Sequence, residues 1–305
     1  MDDPRGQLYL ELLRILRARQ PASFLFENVA RLVTIDGGRR SSCNTDPLDP
    51  LGGCVVGATF ALMLERFAAC GYAVTWRVLN SRHWLPQMRE RVYIVGIRTD
   101  LVARDPGGRG INDLFSWAGV QARAGDRINS TVREILQTPE EISTPALFRS
   151  TLTGETIRYA PECDLLPAQW ARASSVEFEQ KSNRYPGRCA EGQERLIQLD
   201  GKTPTLNSGY RNVASFSTKY VGEERDGRVR ELPRFLSPRE CCRVQGFPDN
   251  FEIPLCNLAQ CGRFYVQIGN AVCPPVIQSI GEQMLLLLEK LGFRGQEEGE
   301  SAEKL

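Results

Sequence analysis

The chain has 305 residues, room for one large domain or two lobes at about 150 residues each. Its 38 Lys/Arg against 37 Asp/Glu leave a formal charge of +1, and 42% of its residues are hydrophobic. That balance excludes general disorder and collagen-like or coiled-coil rods, and argues against a strongly basic nucleic-acid binder.

The first hundred residues read as α/β. Leu8, Leu12, Ile15 and Leu16 share a helical face that Pro21 ends. Ser23–Phe26 follows as a buried strand closing at Glu27-Asn28, then a polar loop from Thr34 to Gly53. Val56–Cys70 is helical by period with Gly71 as its cap, and Tyr72–Leu79 and Arg91–Ile97 are strands around a turn at Pro86. From Asp100 to Arg234 periodicity dissolves into a smaller irregular lobe, with helices expected at Asn129–Leu136 and Pro167–Glu179. Ser237-Pro238-Arg239-Glu240 is a helix start with Ser as N-cap and Glu at the third position. Pro274-Pro275 open a last helix to about Leu291, before an acidic tail. The expected division is 1–99, a first, α/β part; 100–260, a second lobe; 261–292, a return to the first; and 293–305, the tail.

No apolar run approaches the ~20 residues of a bilayer span, and Met1–Gly6 has no signal-peptide core. The expectation is an intracellular protein, nuclear in a eukaryote or cytoplasmic in a bacterium, whose ten cysteines are reduced. Between Arg184 and Arg243 twelve Lys/Arg face eight Asp/Glu, a mild basic excess; Glu282–Leu305 has three basic and six acidic residues.

Four patterns bear on chemistry. Glu27-Asn28-Val29 stands at a strand end, where α/β proteins place ligands, and partial desolvation there should raise the pKa of the carboxyl. The plainer reading is a cap or surface carboxylate. In Gln87-Met88-Arg89-Glu90-Arg91, alternation puts Arg89 and Arg91 on one face, suited to phosphate or carbonyl oxygens or to plain edge salt bridges. Leu236–Glu240 followed by Gln245-Gly246-Phe247-Pro248-Asp249 is a capped helix and a turn, structural by itself. Gln267–Val272 reads as a loop into a helix N-terminus, fit for a polar ligand or for a simple helix entry. Cys241, Cys242, Cys256 and Cys261 make poor zinc geometry, and His83, the lone histidine, reads as a packed or capping side chain.

In their order and spacing, Asp3–Leu8, Phe24–Val29, Gln87–Val92, Arg239–Pro248 and Gln267–Val272 together resemble the (cytosine-5) DNA methyltransferases. The approach His83-Trp84-Leu85-Pro86 is most similar to the branch with bacterial orphan enzymes. The resemblance implies an incomplete Rossmann-like α/β domain with a target-recognition lobe. It also implies S-adenosylmethionine as methyl donor, double-stranded DNA as partner, and attack by a cysteine on a flipped cytosine. Glu27 would hold cytosine N3 and the exocyclic amine, Arg91 the O2, and Arg89 would steady the catalytic loop or backbone. Asn28 would brace the neighbouring loop, and Leu8, Asn270 and Ala271 would line the cofactor pocket. Gln87, Arg211 and Lys219 are further substrate-side candidates, the last two for phosphates.

The family's Gly-rich cofactor turn and Pro-Cys-Gln nucleophile loop precede the position that here falls at Asp3–Gly6, and none of the ten cysteines follows a proline. The sequence thus resembles the C-terminal two-thirds of such an enzyme. It reads as a fragment, as half of a split enzyme completed by an N-terminal methyltransferase fragment, or as a non-catalytic DNA-binding remnant. A tRNA cytosine-5 methyltransferase is a further alternative: Phe216–Tyr220 faintly resembles that branch, although its cysteine is Ser215 here.

Overall fold

A computed structural model describes residues 8–39, 55–138, 141, 147–149, 156–158, 167–173, 195–212, 218–253 and 258–293. The chain divides into two compact units. The first takes Met1–Leu79, Glu90–Arg123 and Gln278–Leu305, and the second Asn80–Arg89 and Ala124–Ile277. The second unit therefore begins inside the expected first part at Asn80, gives Glu90–Arg123 back to the first, and ends at Ile277.

In the first unit, α1 (Leu8–Arg19) is followed by β1 (Ser23–Val29), α2 (Ala58–Ala69), β2 (Tyr72–Asn80) and β4 (Glu90–Arg98). The strand order is β1-β4-β2, with β4 antiparallel to β1 from Ser23↔Ile97 to Val29↔Arg91. Val92 through Ile97 are all buried, as expected of a central strand covered on both faces. Alternation sends Phe24, Phe26, Val92 and Ile94 into a core with Leu13 and Leu16 of α1 and Phe60, Met63 and Phe67 of α2. Phe24 packs on Phe67 and Tyr72 at ring distances of 4.9 and 5.2 Å.

The face of α1 differs from expectation. Its stripe is Tyr9, Leu12, Leu13 and Leu16, while Leu8 and Ile15 are exposed, because a run this rich in leucine satisfies the helical period in more than one rotation. β1 also runs on through Glu27 and Asn28 to Val29. Gly71 takes the left-handed conformation (φ 91°) that ends α2. Arg39 and Val55 form an antiparallel bridge at the ends of the polar segment, whose residues 40–54 lie outside the described ones. Three short helices follow β4, namely α3 (Thr99–Val102), α4 (Ile111–Leu114) and α5 (Trp117–Ala122). The Trp117 indole donates to Thr75 Oγ1 of β2 (3.0 Å).

In the second unit, the helix expected at Asn129–Leu136 is a 3-10 turn to Asn129 and then α6 (Val132–Ile135), begun by a Thr131/Glu134 capping box. Short strands β5 (Leu147–Arg149) and β6 (Thr156–Arg158) pair with each other, and α7 spans Pro167–Ala173. The two-residue β3 (Gln87–Met88) pairs in parallel with β7 (Thr203–Pro204), and β8 (Val221–Glu223) with β9 (Val229–Arg234). α8 (Pro238–Gln245) starts as the sequence dictates: the Ser237 hydroxyl accepts from Glu240 N–H while the Glu240 carboxylate accepts from Ser237 N–H.

α9 (Leu258–Asn270) and α10 (Pro274–Lys290) follow. Gln267–Asn270 is therefore the last turn of a helix and no loop. By length and apolar composition Gly262–Lys290 would pass for a membrane span. It is two helices interrupted at Ala271–Cys273, with Phe264, Tyr265, Ile268, Val276, Ile280 and Leu287 buried in protein, as core helices are. Of the acidic tail, only Phe293 is described.

Candidate functional site

Because Phe24 and Phe26 turn into the α1–α2 core, Leu25, Glu27 and Val29 project from the opposite face of β1, with Arg91 and Tyr93 beside them on β4. Glu27 lies opposite Tyr93 and Arg91 opposite Val29, so acid and guanidinium are diagonal neighbours. Arg91 Nε stands 3.1 Å from Glu27 Oε1, with the two side chains 15% and 22% exposed, and Arg91 Nη1 donates to the Glu90 carbonyl (2.7 Å). The counter-ion offsets the desolvation expected for a carboxylate at this place. Chemically, the pair presents a strong acceptor beside a planar donor. That combination suits a heterocycle edge carrying both an amine and a carbonyl. Asn28, on the other face, accepts from Val29 N–H through its own Oδ1 (2.8 Å), fixing the strand's end.

Arg89 does not share that face. It lies between β3, which pairs with β7, and β4, which pairs with β1; at this change of partner the alternation fails and the two arginines fall in different units. Its guanidinium is buried and donates to three carbonyls: Leu206 (2.8 Å), Gly269 (3.1 Å) and Ala271 (2.8 Å). Two of these close the C-terminal end of α9, where a cation is favoured. Beside it Gln87, also buried, donates through Nε2 to Val244 O and Gln245 Oε1 and accepts from Leu206 N–H. Gln245 Nε2 donates to Ile268 O (2.7 Å), and the Cys273 thiol to Gln245 Oε1 (3.2 Å). The segments around Gln87, Gln245 and Gln267 thus meet in one buried polar node. Gly269 belongs to it sterically, since a Cβ there would come within 2.3 Å of the Asn207 backbone.

The other predicted residues are placed as follows. The Arg211 guanidinium lies over the Phe235 and Tyr265 rings, 5.6 and 5.4 Å from their centroids. Lys219 offers its carbonyl to the Tyr210 hydroxyl (3.0 Å). Leu8 is exposed at the start of α1, Asn270 is exposed at the end of α9, and Ala271 is half-buried against the second unit's core. Leu8 belongs to the first unit and Asn270 and Ala271 to the second.

Sequence reasoning assigned no role to the ion cluster behind α8. There the buried Arg234 donates both Nη atoms to Glu240 (2.8 and 2.9 Å), and Glu224 stands 3.4 Å away. Glu240 also accepts from Gln137 N–H (2.9 Å). The only signal was the Glu at the third helical position. Cys241 and Cys242 are buried, and burial pushes the Cys242 thiol up to about 11. No metal-binding group of side chains exists among the described residues, and Cys256 lies outside them. His83 is half-buried and edge-on to Trp84, held below its ordinary pKa by burial, Arg82 and Lys202.

A family model described as C-5 cytosine-specific DNA methylase matches residues 1–286. The chain belongs to that family. It is 29% identical over 297 residues to the type II methyltransferase M.NlaX of Neisseria lactamica, covering 96% of this chain and 72% of that protein. It is 28% identical over 290 residues to M1.ScrFI of Lactococcus lactis subsp. cremoris, covering 95% of this chain but 58% of that one. Among solved structures, the Dnmt2 methyltransferase of S. pombe superposes with a TM-score of 0.57 at 16% identity over 95% of this chain and 74% of that one. A putative prophage-encoded DNA modification methyltransferase of E. coli gives 0.52 at 20% identity, over 94% and 76%. These structures share the α/β fold. Members of the C-5 cytosine-specific family use S-adenosylmethionine as methyl donor.

Proposed function

We propose that the chain carries the base-edge and DNA-recognition part of a methyltransferase that moves a methyl group from S-adenosylmethionine to C5 of cytosine in duplex DNA. The observation that carries this reading is the Glu27–Arg91 pair on one face of β1 and β4, 3.1 Å apart and mostly shielded from water. A flipped cytosine offers that pair an exocyclic amine, a ring nitrogen and a carbonyl. Glu27 accepts from the amine and shares a proton with N3, which makes C6 a better electrophile; Arg91 donates to O2. Asn28 fixes the strand end beside them. Gln87 and Arg89 act at one remove, by holding the backbone on which the recognition segment is built. Arg211 and Lys219 belong to that segment.

The 305 residues hold no Pro-Cys pair, and the chain spans 72% and 58% of the lengths of two curated relatives. The nucleophile and the Gly-rich turn of the methyl-donor pocket therefore come from polypeptide outside these residues, continuous with them or supplied as an N-terminal fragment. Leu8, Asn270 and Ala271 contribute to the rest of that pocket. DNA is favoured over tRNA because the relatives named above are type II methyltransferases, whereas the likeness to Dnmt2 extends to the fold alone.

The test is complementation. The chain is mixed with an N-terminal fragment of a relative carrying the Gly-rich turn and the Pro-Cys-Gln loop, and tritiated methyl transfer to duplex DNA and to tRNA is measured. Transfer to cytosine C5 of DNA is expected, and Glu27→Gln should cut turnover about 10²–10⁴-fold, the usual size of a lost acid–base contribution. Full turnover in Glu27→Gln, or transfer to tRNA alone, would overturn the proposal.

A further inference from the structure

The second unit holds a pair of cations that the base-edge site does not use. The 3-10 turn Ser81–His83 is tied down on every side: the Ser81 hydroxyl donates to Gln87 O and its N–H to Arg89 O, both at 2.9 Å. Arg82 N–H donates to Asn80 Oδ1 (3.0 Å), and Trp84 and Leu85 N–H both return to Ser81 O. From this fixed turn the Arg82 side chain is exposed, and it makes no hydrogen bond or ion pair among the described residues. Lys202 is brought beside the turn by the parallel pairing of Gln87 with Thr203, and Thr203 N–H donates to Pro86 O (2.8 Å). Its ammonium donates to Ser130 O (2.6 Å) and Oγ (3.2 Å), which leaves a third N–H uncommitted among the described residues.

Burial holds Lys202 below the ordinary lysine range, with Arg82 adding repulsion that Glu134 opposes. His83 feels both cations. The neighbouring 3-10 turn Gly125–Asn129 packs against Ser81–His83 and carries the exposed Arg127. Two cations kept in mutual range on an anchored backbone, one partly desolvated, are relieved by an anion whose oxygens accept from both.

We propose that Arg82 and Lys202 form a cradle for a backbone phosphate of duplex DNA. This rests on the reading of the chain as a DNA-acting enzyme. Arg82 is exposed and Lys202 half-buried, so a free phosphate ion meets them in largely screened water. A phosphate within a duplex also releases condensed counterions on binding, and that favours DNA over the free ion.

The experiment is fluorescence-anisotropy binding of labelled duplexes to the full chain between 50 and 200 mM KCl. Wild type is compared with Arg82→Ala, Lys202→Ala, the double variant, Arg82→Lys, and Arg228→Ala as an exposed control. Each alanine variant should flatten the slope of log K against log[salt] by about 0.9 and weaken binding about eightfold at 0.1 M, equally for every duplex sequence. Arg82→Lys and Arg228→Ala should keep the wild-type slope, and inorganic phosphate should compete no better than KCl of equal ionic strength. Slopes unchanged in the double variant would overturn the cradle while leaving the enzyme reading intact. Competition by inorganic phosphate beyond ionic strength would make it a free-anion site. Wild type that binds no duplex would overturn the enzyme reading and the cradle together.

Discussion

Arg89→Ala is the perturbation that best separates fold from chemistry. Arg89 is 2% exposed, and its guanidinium gives three hydrogen bonds of 2.8, 3.1 and 2.8 Å to main-chain carbonyls. Bonds from a charged donor contribute roughly 1.5–3 kcal/mol each, so the gross loss is about 4–9 kcal/mol. Removing the cation also relieves its own desolvation, and water entering the space re-solvates part of the exposed carbonyls. A net loss of about 3–5 kcal/mol follows, comparable with breaking a buried ion pair. At a urea slope of about 2 kcal/mol/M the midpoint of the second unit should fall by roughly 1.5–2.5 M. Arg89→Lys keeps the charge but not the planar fork, and should fall between the two. Urea titration read by the buried Trp84 checks the magnitude, and amide exchange across Gln267–Cys273 checks the place. Arg91→Ala is the contrast, since its ion pair with Glu27 keeps some contact with solvent and should cost less, about 1–2 kcal/mol, while abolishing transfer in the complemented enzyme. An Arg89→Ala midpoint within 0.3 M of wild type (a shift of about 0.6 kcal/mol at that slope), with unchanged exchange, would refute the node as the clamp on α9.

Gly269→Ala should destabilise the same unit by about 2 kcal/mol or more, because the added methyl meets Asn207 and Ser208 backbone atoms at 2.3–2.6 Å and backbone cannot swing aside; a wild-type melting temperature would contradict this. Glu240→Gln leaves the buried Arg234 only the longer carboxylate contact, to Glu224, and should cost about 3 kcal/mol. Pairing it with Arg234→Met should recover part of that in a urea titration, and a double variant no better than the single would mean the ion pair is not what was lost. Asp105 is held at about 2 by the Arg109 side chain and amide. Its folded value lies below the unfolded one, so its contribution is complete above about pH 4 and is lost as pH falls toward 2. Asp105→Asn should therefore flatten the acid limb of the first unit's melting curve, and parallel curves would count against the assignment.

The elements whose period or cap chemistry is local were legible in the sequence. α2, β2 and β4 lie within a residue or two of their expected bounds, and α8 begins with the capping box that Ser237 and Glu240 spell out. What was not legible depends on partners far along the chain. Gly269-Asn270 reads as turn chemistry, yet the glycine is helical and is required because Asn207 and Ser208 press against it. The compact units do not divide at residue 100, since Glu90–Arg123 stays with the first, and the short helices α3 to α5 have little period of their own to announce it. Thr75 and α10 hold one of them, through Trp117 and through Arg123, which meets Glu282 at 3.1 Å just past α5.

The two arginines of Gln87-Met88-Arg89-Glu90-Arg91 carry the sharpest lesson. Spacing alone makes them equivalent, and a family motif carries them as one signature. Equivalence requires one unbroken strand, because only then does a two-residue step return to the same face. Here the hydrogen-bonding partner changes from β7 to β1 at Arg89 itself. Arg89 is therefore free of β4's pleat. Its fork is taken up by carbonyls near Leu206 and at the end of α9, and Arg91 is left to face Glu27. A motif five residues long thus contains a fastening for one unit and, on the proposed reading, a base-binding side chain for the other. Substitutions at its two arginines should fail in different assays, Arg89 in stability and Arg91 in turnover.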